Sequence, residues 1–302
     1  MKTVFVFLMA AVVFWGAEAG RFVVGFAQDT MTNDWRIAQV RELQAAFKDD
    51  KNIEFVYTDG KGSLALSVQN IEALIARPVD VLIASPLDAK AMTPVIEDAY
   101  KKGIPVVLLS RRIEGDGFTT FIHPENRDIA KLAAQYIAKE LKGKGKIFIL
   151  QHVPTTTPAI HRTEAFFAEI KKYPGLEVTG MKVANSLRAD AIRMTEEALN
   201  EGLKFDAIYA QSDSMAVGAI MALKAAGVDP KPLVITGIDY ISEARAAILA
   251  GEMDASFTYP TAAAEGAEAV RKILKGQRVP KEIVIDSTMV TRENVKKVEP
   301  IF

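Results

Sequence analysis

The chain has 302 residues, 49% hydrophobic and 25% charged, a size that suits two lobes of ordinary domain size better than one small core. Its formal net charge of -1 removes the electrostatic basis for binding polyanions, so no nucleic-acid partner is expected. With no cysteine and three histidines, disulfides and thiolate zinc sites are excluded, and stability has to come from packing.

Residues 1–19 read as a targeting segment outside the fold. Lys2 supplies the positive start, Val4 to Trp15 an apolar run, and Ala17-Glu18-Ala19 a small-x-small cleavage site. The run is shorter than the roughly 20 residues that span a bilayer. The mature chain is therefore expected to begin at Gly20 and to be periplasmic, with no cysteine to carry a lipid anchor.

Strands and helices then alternate. Strands are predicted at Phe22 to Gln28, Ile53 to Thr58, Val79 to Ala84 and Ile104 to Ser110, and helices at Asn33 to Lys48, Ser63 to Arg77 and Lys90 to Lys102. The helices rest on spacings such as Ile37, Val40, Leu43 and Phe47, and the strands on runs such as Val81-Leu82-Ile83. Strands that are apolar throughout belong to parallel sheets covered on both faces by crossover helices.

A second series follows Phe118 to Ile122 and a predicted break at His123-Pro124. Its helices are predicted at Asn126 to Leu141, Pro158 to Lys172, Ala189 to Asn200, Asp213 to Ala226, Ile241 to Leu249 and Ala262 to Lys275. Its strands are predicted at Lys146 to Gln151, Glu177 to Val183, Asp206 to Gln211, Leu233 to Asp239, Asp254 to Tyr259 and Glu282 to Asp286. So many strands require two sheets. Gly218, inside a predicted helix, is read as a close contact between that helix and its sheet.

Ligands of open α/β sheets sit at the carboxyl ends of strands. Those ends carry Gln28, Ser85, Ser110-Arg111-Arg112, Gln151, Ser212-Asp213, Asp239 and Tyr259. Ser85 and Asp213 are equally good candidates for helix N-caps. Trp35 beside Arg36 is the strongest local pair, because an aromatic face stacks on a sugar ring while a guanidinium fork bonds hydroxyls, carboxylates or phosphates.

No catalytic apparatus is visible. The histidines lack H-E-x-x-H spacing, no G-x-S-x-G elbow occurs, and neither a Walker A loop nor G-x-G-x-x-G follows the first strand. The chain is read as a non-enzyme without cofactor or metal, and Gly60, Gly62, Gly115 and Gly117 as turn residues.

Phe26-Ala27-Gln28 with Trp35-Arg36, Val106 to Arg111, Tyr209 to Ala219 and Val234 to Asp239 together resemble the periplasmic sugar-binding proteins of the ribose/galactose type. The likeness runs in order over essentially the whole mature chain. Its first loop is most similar to members that bind galactofuranose, and is also similar to the autoinducer-2 receptors. The resemblance implies two doubly wound parallel-sheet lobes joined by a three-segment hinge. An N-terminal lobe of residues 20–122 plus 260–285 and a C-terminal lobe of 123–259 plus 286–302 are expected. Ligand would lie between them against Gln28, Trp35, Arg36, Ser85, Ser110, Arg111, Arg162, Ser212, Asp239 and Tyr259.

The implied function is capture of a sugar or sugar-like molecule by an exported monomer that delivers it to an ABC-type permease. The alternative is a ligand-sensing protein that docks a chemoreceptor or histidine kinase ectodomain. Most members carry Asp-Arg where this chain has Ser110-Arg111, and Asn-Asp where it has Ser212-Asp213. The implied wall then sets Arg36, Arg111 and Arg162 against Asp239. A sugar acid or sugar phosphate would balance it; so would a neutral furanose with Asp29, Asp34 or Asp213 supplying the charge.

Overall fold

A computed structural model describes residues 21–302; the expected targeting segment lies outside the described residues. The first sheet is built from β1 (Phe22–Gln28), β2 (Ile53–Asp59), β3 (Val81–Ala84), β4 (Val106–Leu109) and β5 (Thr120–Pro124), with helices α1 (Asp34–Phe47), α2 (Leu64–Ile75) and α3 (Thr93–Lys101) between the first four strands. The chain then enters α4 (Asn126–Glu140), β6 (Lys144–Gln151), α5 (Thr157–Ile170), β7 (Gly175–Val183), α6 (Arg188–Asn200) and β8 (Ala207–Ala210). It continues through α7 (Asp213–Ala225), β9 (Val234–Thr236), α8 (Ser242–Ala250), β10 (Ala255–Phe257), α9 (Ala263–Leu274), β11 (Glu282–Ile285) and β12 (Met289–Thr291).

Two α/β lobes result, as expected. The sheet orders are β11-β5-β4-β3-β1-β2 and β12-β10-β9-β8-β6-β7, the same doubly wound pattern twice. The chain leaves the first sheet after β5, returns to it after β10, and passes to the second once more between β11 and β12. Each sheet is packed on both faces. Val24, Phe26, Ile83 and Val107 face α1 and α9, while Leu82, Ala84 and Leu108 join the α2 and α3 side. In the second lobe Phe148, Ile208 and Ile235 lie in one apolar cluster, and Ile147, Ile149 and Tyr209 in the other. Burial on both faces is why these strands read as continuous apolar runs.

The structure differs from the sequence reading in local places. His123 and Pro124 are not a break but complete β5, with Pro124 at its last position, where a missing N–H costs least. α3 starts at Thr93, later than predicted, because Pro94 occupies its first turn and Asp88 Oδ1 instead accepts from the amides of Lys90 and Ala91 in the preceding turn. β12 was not predicted; three residues give little periodicity, and it pairs antiparallel with β10 in an otherwise parallel sheet. Gly218 makes room for α6 instead of the sheet, since a Cβ there would meet the Arg188 carbonyl at 2.6 Å and Ala191 Cβ at 2.9 Å. Asp213 is not an N-cap. Ser212 caps α7, accepting from the Met215 amide at 3.4 Å, and Asp213 is its first residue.

Candidate functional site

The carboxyl ends of the two sheets face a shared cavity of about 530 Å³. On one side it is lined by the loop after β1 and the start of α1 (Asp29, Asn33, Trp35, Arg36) and by Ser110 and Arg111 after β4. On the other it is lined by His152 after β6, Arg162 on α5, Ser212 after β8 and Asp239 after β9. Tyr259, on the segment returning to the first lobe, closes the floor. Of the residues expected at a ligand, all line the cavity except Gln28 and Ser85.

Those two stand behind the wall. Gln28 is 1% exposed; its Nε2 donates to Gln39 Oε1 at 3.0 Å and its Oε1 accepts from the Asp29 amide at 3.1 Å. Ser85 is not an N-cap: its Oγ donates to the Leu109 carbonyl at 3.0 Å and accepts from Arg36 Nη1 at 2.8 Å. Both hold Arg36 and its loop in place. Arg36 Nη1 also donates to Ser110 Oγ at 3.2 Å.

Asp29 supplies the carboxylate missing at Ser110. Its Oδ2 lies 2.7 Å from Arg111 Nη1 and its Oδ1 3.3 Å from Arg36 Nε, within a pocket where its side chain is 1% exposed. The loop after β2 fixes Asp29 from below, because Gly60 and Gly62 donate to the Gln28 and Asp29 carbonyls at 2.9 Å. A Cβ on Gly60 would come within 2.7 Å of the Asp29 carbonyl, so this turn requires glycine. Neither Asp34 nor Asp213 balances the arginines: Asp34 faces Arg188 at 3.9 Å, and Asp213 accepts from Ser256 Oγ at 2.8 Å and the Ile241 amide at 3.0 Å.

In the second lobe Arg162 Nε donates to Asn126 Oδ1 at 2.8 Å, and Nη1 to the Gln211 carbonyl. Its guanidinium carbon lies 4.6 Å from the centre of the Tyr259 ring, a cation–π contact. Tyr259 ties the lobes together, donating its hydroxyl to the Ser110 carbonyl at 3.5 Å and accepting from Asn126 Nδ2 at 3.2 Å. Trp35 does the same from the other side: Nε1 donates to the Tyr259 carbonyl at 2.9 Å, with ring centroids 5.8 Å apart. Buried against Ile238 and Phe257, Trp35 is both a wall of the cavity and an apolar contact between the lobes.

Ser110 and Asp239 occupy matching places after the fourth strand of each lobe, and both have positive φ, 59° and 125°. Such strain at strand ends is typical of sites held by the surrounding fold. Burial and the charge of Asp213 push the Asp239 carboxyl well above its ordinary range. Burial, followed by Arg111, Arg162 and Arg36, keeps the His152 imidazole neutral by holding it well below its ordinary value.

Some wall residues were not expected from the sequence. Asn33, Asn185, Ser186 and Leu187 form one rim, where Asn33 Nδ2 donates to the Ser186 carbonyl at 2.6 Å across the cleft. Leu87 and Thr155 form the other, with Thr155 Oγ1 donating to the Leu87 carbonyl at 3.0 Å. These contacts join loops distant in sequence and carry no periodic signal. Asn126, which positions Arg162, is the first residue of α4 and gave only the signal of a helix start.

Residues 24–278 match the model of the periplasmic binding protein domain. The chain belongs to this family. It is 26% identical over 291 residues to the galactofuranose-binding protein of Escherichia coli strain K12, covering 93% of this chain and 91% of the relative. Among solved structures it is similar to the fructose-binding periplasmic domain of a hybrid two-component system, at 32% identity and a TM-score of 0.87, covering 91% of this chain and 92% of the other. It is equally similar in fold, with a TM-score of 0.87 and 26% identity, to an ABC transporter solute-binding protein from Bacillus halodurans with bound myo-inositol, covering 93% and 98%.

Proposed function

We propose that this chain is an exported solute-binding protein that captures a sugar-class small molecule between its lobes and presents it to an ABC-type permease. The observation that carries this reading is the cavity of about 530 Å³ walled by polar side chains from both lobes, of a size for a single small ligand. Trp35 offers an apolar face to a ring, Arg36, Arg111 and Arg162 donate to its oxygens, and Asp239 accepts from its hydroxyls. Ser212 and Tyr259 complete the wall, and Gln28 and Ser85 hold the arginine side in place.

Closure follows from the same arrangement. The three crossings between the sheets act as a hinge, and ligand favours the closed state because only there do Arg111 and Asp239 contact it together. The relatives named above are described as binding proteins, which supports capture without turnover. A sensor would use the same capture step; the two roles differ in whether a permease or a receptor ectodomain docks on the closed lobes.

Isothermal titration of the purified protein with sugars and polyols tests this. A single site per chain, lost on replacing Arg111 and Asp239 together, is expected; turnover of a bound compound would contradict it.

A further inference from the structure

The charge and the hydrogen-bonding capacity of the cavity are unequal between its two walls. Four cations line it, Arg36, Lys61, Arg111 and Arg162, against the two carboxylates Asp29 and Asp239. On the first-lobe wall the carboxylate charge and the serine oxygen are already engaged by arginines. Asp29 is held by Arg36 and Arg111, and Ser110 Oγ, 1% exposed, accepts from Arg36 Nη1. What this wall has left is mainly donors: Arg111 Nε is buried without a hydrogen-bond partner and Nη2 of Arg36 and of Arg111 bond to no described residue, against one acceptor without a hydrogen bond, Asp29 Oδ1, which faces Arg36 Nε at 3.3 Å. Asp239, on the second-lobe wall, is the carboxylate not held by those two arginines.

The arginines also strain one another. Burial first, and then the like charge of Arg111, draw Arg36 down to about 10. An anion placed against both would relieve that penalty, whereas a neutral hydroxyl would only solvate it.

We infer that the ligand is a sugar acid: a monosaccharide-sized polyol whose carboxylate lies against Arg36 and Arg111 on one lobe and whose hydroxyls donate to Asp239 on the other. The inference rests on the capture function proposed above and names its ligand class. Arg36, Arg111 and Arg162 carry three buried positive charges against Asp29 and the Asp213–Asp239 pair, which burial and mutual repulsion hold to about one negative charge. The excess is therefore about one, which matches a carboxylate; a phosphate carries about -1.5 to -2. Paired guanidinium edges suit the two oxygens of a carboxylate. The distribution is directional, so the carboxylate end of the ligand is the end facing β1 and β4.

The test is a thermal-shift and calorimetry panel on the purified protein, using galactonate, galacturonate and glucuronate against galactose, glucose and myo-inositol. At least one acid is expected to stabilise the protein and to bind roughly 10- to 100-fold more tightly than its neutral counterpart, the range of one charge-assisted contact. Neutral compounds binding while the acids have no effect would overturn the inference and leave capture standing. Stabilisation by neither set, with no compound retained by the protein on native mass spectrometry, would overturn capture as well. Ser110→Asp supplies an independent reading. Its positive φ suits aspartate, and a carboxylate there fills the donor wall. The variant is expected to lose roughly 10-fold or more in affinity for the acid and to gain for the neutral parent. Unchanged selectivity would count against the inference.

Discussion

Asp29 Oδ2 lies 2.7 Å from Arg111 Nη1, joining the ends of β1 and β4, with side chains 1% and 3% exposed. The same carboxylate reaches Arg36 Nε at 3.3 Å, so a single buried anion is shared by two buried cations. Removing it leaves two guanidinium groups facing each other out of water. Asp29→Asn is expected to destabilise the ligand-free protein by about 3 to 5 kcal/mol, the usual consequence of breaking a buried pair. Adding Ser110→Asp should restore a substantial part, because Ser110 Oγ already lies 3.2 Å from Arg36 Nη1. Urea denaturation of the single and double variants measures this, and equal stability of Asp29→Asn and wild type would refute it.

Arg111→Ala and Asp239→Ala each remove a contact that the proposed closed complex makes from opposite lobes. Each should weaken ligand binding by at least about 1.5 to 3 kcal/mol, roughly 10- to 100-fold. Calorimetry giving wild-type affinity for both would remove these residues from the site.

Gly218 tests the second lobe separately from the cleft. A methyl group at 218 would be driven into the Arg188 carbonyl and Ala191, so α6 and α7 would have to separate. Gly218→Ala should cost about 1 to 3 kcal/mol despite its better helix propensity, with ligand affinity largely kept in the folded fraction. A stabilised variant would mean that the helices part without cost.

Asp213 gives the stability a pH dependence. Burial raises its carboxyl to about 7, against the ordinary value of 3.8, and Asp239 is raised in the same direction. The native pair therefore holds a proton that the unfolded chain has released, and the stability this confers is full below about 4 and is lost as pH rises through about 7. His152 acts oppositely, because its lowered value opposes folding once the unfolded imidazole takes up a proton on acidification. Comparing wild type with Asp213→Asn isolates the carboxylate contribution. Between about pH 4 and pH 7 the wild-type stability should fall relative to the variant by up to about 1.4 kcal/mol per pH unit. Parallel pH profiles would contradict it.

Much of the fold is legible in the sequence because doubly buried parallel strands leave apolar runs such as Val81-Leu82-Ile83 and Val106 to Leu109, and covering helices leave spaced apolar positions such as Val40, Leu43 and Phe47. β12 escaped because a three-residue strand is shorter than the period that would reveal it. At the cleft, strand ends and the Trp35-Arg36 pair point to the right loops, since a strand end is a local feature. What a polar residue does there is not local. Ser85 and Gln28 stand at strand ends as Ser110 does, yet the fold turns them toward Arg36 and Gln39 and away from the cavity. The part played by Asp29 depends on how the fold sets the end of β1 near that of β4, with β3 between them in the sheet; its partner Arg111 is 82 residues away in sequence, and the loop after β1 alone could not distinguish Asp29 from Asp34.

The central claim is that the cleft retains a small sugar-class molecule through side chains of both lobes. It is tested most directly by purifying the protein from its own source, denaturing it, and identifying the released small molecules by mass spectrometry, beside an Arg111→Ala/Asp239→Ala variant handled identically. The account predicts one sugar-class compound approaching one per chain from the wild type and little or none from the folded variant. Release of no such compound from the wild type, or equal release from both proteins, would contradict it.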